Sequence, residues 1–273
     1  MSSKTCISVM GRCASVSTAI KFAKRGFPMR KIDLNVDLGE GSGNDLAMLE
    51  YATSVNIACG WHAGDAWTMR TVVKAALERG IAVGAHPGYP DRENFGRRSM
   101  ELTYEEIYAG VQYQVGALDG IVRAIGGRLV HVKPHGALYN DAERSIAVCR
   151  AIVCSVRDLD PSLVIYGLAG GQLVRVAREL GMQAYDEAFA DRGYAADGRL
   201  LPRAEPGAVI HDVDEVTRRV SDLLTTGTVR ARDGNRIRLS PQTLCLHGDG
   251  ERAVIFAQTV HAAMGSMPSG QVN

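Results

Sequence analysis

Residues 31–40 read KIDLNVDLGE, and this stretch decides the fold. Ile32, Leu34 and Val36 alternate with Asp33, Asn35 and Asp37. Side chains of a strand point to opposite faces in turn, so a strand here carries one apolar and one polar face. A strand sandwiched between two helix layers would be apolar on both.

The same oddity recurs along the chain. In 129–135, His131, Lys133 and His135 share a face opposite Val130 and Val132, and in 242–247, Thr243, Cys245 and His247 alternate with Leu244 and Leu246. In 81–86, Ala82, Gly84 and His86 alternate with Ile81 and Val83. Together with 31–37, 54–59, 163–168 and 182–187 these runs make seven predicted strands, and 207–211 offers a shorter eighth piece.

Amphipathic helical segments separate the strands. In 66–79, Met69, Val72, Val73, Ala76 and Leu77 form one stripe. From Thr103, with Glu106 completing a capping box, Ile107, Val111, Val115, Leu118, Val122 and Ile125 form another. Asp212 with Glu215, and Asp249, mark further helix starts, while Asp233-Gly234 within the polar run 229–240 favours a tight hairpin. Alternating strands and helices predict a parallel sheet built from βαβ units. A polar strand face then needs an interior to face, which a closed sheet supplies. The expected fold is therefore α/β, a TIM-like (β/α) barrel, seven-stranded or irregular. An antiparallel sheet with one face in water is the competing reading, and the intervening helices argue against it.

At 273 residues and 46% hydrophobic, the chain is long enough for one such barrel or for one to two smaller domains. A net charge of +1, with no polybasic block, argues against a nucleic-acid or anionic-lipid partner. Six cysteines at irregular spacings, with no C-x-x-C pair, argue against a zinc ribbon or a secreted disulfide framework and fit a cytoplasmic setting. No apolar run approaches the roughly 20 residues of a membrane-spanning helix. Residues 1–29 hold Lys4, Arg12, Lys21, Lys24 and Arg25 without an acidic residue, which suggests either a transit segment or a start assigned ahead of Met29. The second reading is preferred, with one barrel over 30–265 and a tail over 266–273.

The working end of a barrel is the carboxyl end of its strands. There the sequence delivers Asp37 and Glu40 at the end of the first strand, Asn56, His62 and Asp65 along and after the second, and His86 at the end of the third. The fourth gives Lys133, His135 and Asn140, the sixth Glu187, Asp191 and Arg192, and the last His247 and Asp249. Singly, each has a plain structural explanation: Asp65 and Asp249 suit helix N-caps, Asn140 suits a turn, and Cys59 suits packing better than nucleophilic attack. Jointly they describe a site for proton transfer on an anionic or carbonyl-bearing substrate, with imidazoles and carboxylates as acid and base and Lys133 to hold negative charge. Two long loops, 86–102 with Arg97-Arg98 and 188–206 with Arg192, Arg199 and Arg203, could close over a ligand. Gly170-Gly171 offers a possible anion-binding helix start. Phosphate-loop, dinucleotide and nucleophile-elbow motifs are absent.

The segments DLNVDLGE, SVNIACGWHAGD, GAHPGYPD, FGRR, HVKPHGALYN, EAFADRGY and HGD, in this order, resemble the LamB/YcsF family, whose members are described as the A-component of the prokaryotic ATP-dependent 5-oxoprolinase. The resemblance runs from about residue 31 to about residue 264, with departures at Val55, at Trp61 and in a short loop after Glu40. It implies a barrel of the glycoside hydrolase/deacetylase kind, and opening of 5-oxo-L-proline to L-glutamate with hydrolysis of ATP, with Mg2+, to ADP and phosphate. It also implies 5-oxoprolinase subunits B and C as partners. Carried onto this sequence, it makes Asp37, Asp65 and His62 base or metal-orienting groups and His86 and His135 proton carriers. Lys133, Arg97 and Arg192 then hold phosphate or the substrate carboxylate, His247 and Asp249 close the rim, and Asn35, Glu40, Asn56, Asn140 and Asp191 join the binding set. Two alternatives stay open: a metal-dependent amidohydrolase or deacetylase, since an Asp with two His suffices for a divalent cation, and a noncatalytic lactam-binding subunit. A bound transition metal belongs to the first of these two alternatives.

Overall fold

The computed structural model of the chain describes residues 32–248, 250 and 252–265. The reading of 1–29 and of the tail, and the assignment of Asp249, lie outside the described residues.

Seven strands close into a barrel in the order β1-β2-β3-β4-β5-β6-β9, every neighbouring pair parallel. They are β1 (Asp33–Leu38), β2 (Ser54–Ala58), β3 (Ala82–His86), β4 (Leu129–Val132), β5 (Val164–Leu168), β6 (Ala184–Phe189) and β9 (Thr243–His247). The antiparallel alternative is thereby excluded. The piece at 207–211 is not a strand: only a single bridge joins Val209 to Arg192. The polar run does fold as a hairpin, β7 (Thr228–Arg230) against β8 (Arg236–Arg238), with Gly234 at φ +87° in its turn.

The helices pack outside the barrel, each on its apolar stripe. Helix α2 (Ala66–Glu78) buries Met69, Val72, Val73 and Ala76, and α3 (Tyr104–Ala124) buries Ile107, Val111, Val115, Leu118 and Val122. The Thr103–Glu106 capping box forms as read, and Asp212 accepts from the Glu215 amide at the start of α7 (Val213–Thr226). No helix among the described residues is long and apolar enough to cross a membrane.

The polar faces of the strands fill the lumen down to its floor, rather than only near the mouth. Asp33 accepts from Ser54, Thr243 and Tyr166, and one layer up the Asn35 amide donates to Glu187 and Thr243 while Asn56 donates to Asn35 and Asp37. His131 stacks on Tyr166 at 4.0 Å and places Nε2 2.7 Å from Asn56 Oδ1. Glycine at 84 makes this possible, because a Cβ there would run into the His131 ring. A hydrogen-bonded lumen tolerates burial that single polar groups would not.

Candidate active site at the barrel mouth

The mouth opens as a cavity of about 240 Å³ lined by Asp37, His86, Lys133 and His247, each from the end of a different strand. At its base Lys133 Nζ lies 3.0 Å from Asp37 Oδ1, 2.9 Å from Glu187 Oε1, 3.1 Å from Asn35 Oδ1 and 2.9 Å from Cys245 Sγ. Burial alone would neutralise such an amine, but the Asp37 and Glu187 carboxylates beside it hold its pKa well above the usual lysine value. Burial likewise works to raise the pKa of Asp37. His86, with Nε2 3.5 Å from Asp37 Oδ2, and Lys133 more than compensate, so the carboxyl is held well below its usual range. His86 is disfavoured as a cation by burial, yet Asp37 and Glu40 raise its pKa. The base of the pocket thus favours an ionised carboxylate beside an ammonium and an imidazole whose proton affinity is raised.

Beside this triad sits an imidazole cluster. Glu40 Oε1 lies 3.1 Å from His62 Nε2, 3.2 Å from His135 Nδ1 and 3.7 Å from His86 Nε2. His62 and His135 stack face to face at 3.7 Å. Glycines 88 and 96 give them room, since a Cβ at either position would sit 2.7 Å from a His62 atom. Burial lowers the pKa of both His62, to about 3, and His135, and the adjacent imidazoles keep the Glu40 carboxyl ionised against its own burial. These four donors all lie within 4.8 Å of one another and could hold a metal ion; Asp37, Cys245 and His247 form a second such group.

On the far wall, Asp191 accepts from His247 Nδ1 at 2.9 and 3.1 Å and from the His247 amide at 3.3 Å, which leaves Nε2 of that ring as its acceptor atom. Burial raises the pKa of Asp191, but His247 outweighs it and the net shift is downward. Phe189 stacks on the His247 ring, and Tyr139 lines the cavity with its hydroxyl buried and without a hydrogen-bond partner.

Several positions take other duties. Asp65 is exposed and caps α2 by accepting from the Thr68 amide at 2.8 Å, so its assignment as a base or metal-orienting group is corrected: the helix start turns it away from the mouth. Arg192 lines the cavity, but its Nε and Nη2 donate to the carbonyls of Ala208 and Leu201, so it braces the 188–206 loop more than it offers an anion clamp. Burial and Arg203 lower its pKa to about 10. Asn35 and Asn56 belong to the lumen network beneath the pocket. Arg97 lies at the rim with its guanidinium 4.7 Å over Phe95, and Asn140 donates to the Gly136 carbonyl while lining the cavity. The Gly170-Gly171 helix start is taken by the protein's own anion: Glu143 accepts from the amides of Gln172 and Leu173 at the start of α6 (Gln172–Glu179). Cys59 is buried, with its thiol pKa pushed up to about 12, the character of a packing residue.

The sequence places Glu187 at the working end without a partner; the structure makes it the second carboxylate on Lys133, on the inward face marked by the alternation of Tyr185, Glu187 and Phe189 along β6. One pocket residue escapes the sequence reading. Tyr139 sits within α4 (Gly136–Ala142), where no local pattern distinguishes a pocket residue from a packed one.

Solved structures resemble this chain. A lactam utilization protein from Thermus thermophilus is 42% identical, with a TM-score of 0.81 over 86% of this chain and 96% of that one. A family 4 carbohydrate esterase from Streptomyces lividans, solved with acetate, is 13% identical, with a TM-score of 0.42 over 86% of this chain and 87% of that one. The LamB/YcsF family model matches residues 32–269, which takes in every barrel strand and every group at the mouth, and the chain belongs to the LamB/YcsF family.

Proposed function

We propose that this chain is the lactam-binding, ring-opening A-component of an ATP-dependent 5-oxoprolinase, converting 5-oxo-L-proline to L-glutamate as ATP becomes ADP and phosphate. The observation that carries the reading is the pairing of Asp37, held ionised, with His86, its proton affinity raised, 3.5 Å apart at the base of one small cavity. A five-membered lactam is a resonance-stabilised amide, and its hydrolysis needs the amide oxygen made electrophile-bound before water can add. Phosphorylation of that oxygen does so. Water then adds to the ring carbonyl carbon and gives a proton to Asp37. The carbon–nitrogen bond breaks as His86 protonates the departing ring nitrogen, leaving an acyl phosphate that a second water hydrolyses to glutamate and phosphate.

The cavity of about 240 Å³ suits such a ring better than a nucleotide, since pockets for drug-sized ligands run to roughly 300–1,000 Å³. Partner subunits B and C therefore supply the ATP site in this reading, and Arg97 and Arg203 at the rim meet the substrate carboxylate or the incoming phosphoryl group. The assay mixes the chain with its partners and 5-oxoproline, and follows glutamate and ADP release with each component omitted in turn. Asp37→Asn and His86→Ala are expected to lose about 100-fold or more in turnover of the assembled enzyme. Glutamate formed without ATP overturns the mechanism, and turnover unaffected by both substitutions reduces the chain to a carrier of the lactam.

A further inference from the structure

The surroundings fix the tautomers of two histidines in the imidazole cluster. His135 Nε2 lies 2.8 Å from the Phe95 carbonyl oxygen, and His86 Nδ1 lies 2.8 Å from that of Lys133. A carbonyl only accepts, so each of these nitrogens carries a proton. In the neutral rings the other two nitrogens, His135 Nδ1 and His86 Nε2, turn lone pairs toward each other across 3.0 Å, with Glu40 Oε1 close to both. Donors so arranged repel unless they share a positive centre, a proton or a metal ion.

We infer that Glu40, His86 and His135, with His62 as fourth donor, bind a divalent transition-metal ion of the zinc class. Donor atoms from four different strand ends lie within 4.8 Å of one another, whereas a proton lies on a line between two atoms; the parallel stacking of His62 on His135 makes His62 the ligand that must turn most to join them. Four of the six donor separations, 3.0, 3.1, 3.2 and 3.7 Å, bracket the edge of a tetrahedron, about 3.3 Å, that metal–nitrogen bonds of about 2.05 Å produce, and all six lie within 4.8 Å. Three imidazoles and a carboxylate are a donor set for zinc and its neighbours rather than for magnesium or calcium.

The outer layer agrees. Histidine ligands characteristically donate their second N–H to a carbonyl or carboxylate, as His86 and His135 do here. Phe95 presents its carbonyl from a left-handed backbone, φ +56°, the sole non-glycine residue with positive φ among the described residues. Such a conformation costs of order 1–3 kcal/mol and persists where surrounding structure over-determines it. His62 differs from the other two, its Nδ1 being buried without a partner, so it is the most weakly oriented of the four.

A metal ion on His86 Nε2 takes the place of the proton that this atom gives to the ring nitrogen in the lactam reading, so the two compete for one atom; metal binding is measured without turnover, which keeps the two results distinguishable. The untagged full-length chain is stripped with chelator and titrated with Co(II). One equivalent per chain is expected, with the intense visible bands of a four- or five-coordinate ion, displaced by Zn(II). Glu40→Gln and His135→Ala are each expected to weaken cobalt binding at least about 10-fold, while Asp65→Asn leaves it unchanged. No visible bands at millimolar cobalt, or binding indifferent to both substitutions, overturns the proposal. Should those variants fail to fold, imidazole 15N shifts of the wild-type chain decide: movement at His86 Nε2 and His135 Nδ1 on zinc addition supports the site, and an imidazolium that persists at saturating zinc overturns it.

Discussion

Replacing Lys133 with methionine removes the ammonium that lies between Asp37 and Glu187 at the base of the pocket. All three side chains are almost fully buried, so water cannot take over the screening. Breaking a buried ion pair by removing one partner costs about 3–5 kcal/mol, because the abandoned charge stays in low dielectric, and here two carboxylates are abandoned. For a chain of this size that corresponds to a fall in Tm of roughly 6–20 °C. The sign of the pH dependence follows from the direction of the shifts. Asp37 is depressed in the folded wild type, so it stabilises the fold above the unfolded carboxylate value of about 4, and that contribution is lost as the pH falls through its folded pKa. Without Lys133 the depression is reduced, although His86 still holds the carboxyl down. The deficit of the variant is therefore largest at neutral pH and shrinks toward acid. Urea denaturation near neutrality and near pH 5 measures it, and Lys133→Met/Glu187→Gln, which removes one abandoned carboxylate, should recover part of the loss. A single variant within about 1 kcal/mol of wild type, or a double variant no better than the single, refutes the account of the lumen as a charge-matched network.

The acid limb offers a separate handle on His247. The folded pKa of Asp191 is depressed, so its stabilisation is present above about pH 4 and disappears below it; Asp191→Asn should flatten that limb in urea midpoints, and an unchanged slope counts against the pair. Cysteine labelling tests burial: with Cys59 and Cys149 pushed up to about 12 and Cys245 also raised, iodoacetamide at neutral pH should reach the half-buried Cys154 first among the four cysteines of the described residues, as read by peptide mass spectrometry. At α6, Glu143→Ala removes the carboxylate from two helix amides and should cost about 1–2 kcal/mol. Gly171→Ala drives a methyl into that same carboxylate, so the two losses should be less than additive in chemical denaturation.

Much of this molecule is legible in its residues taken in order. The alternation of 33–37 with polar side chains inward, repeated in β4 and β9, requires only the two-residue period of a strand, and it yields the seven-stranded closed barrel. Helix stripes and caps at Asp65, Thr103 and Asp212 are equally local. The short 207–211 run fails as a strand because β6 and β9 already pair with each other and close the sheet.

What the order of residues leaves undecided is which polar group meets which. Asn35 meets Thr243 across 208 positions and Lys133 meets Cys245 across 112, contacts set by the closure of the sheet and invisible to any local period. Only the folded chain sends Asp65 outward to its helix, commits Arg192 to loop carbonyls and hands the α6 amides to Glu143. Only it turns one nitrogen of His86 and of His135 to a carbonyl and the remaining two to each other. Sequence determined the polarity of each face because side-chain direction follows from neighbouring backbone alone. Charge and proton placement waited on tertiary structure, because in a low-dielectric lumen they depend on atoms a few ångströms away that the chain delivers from its far end.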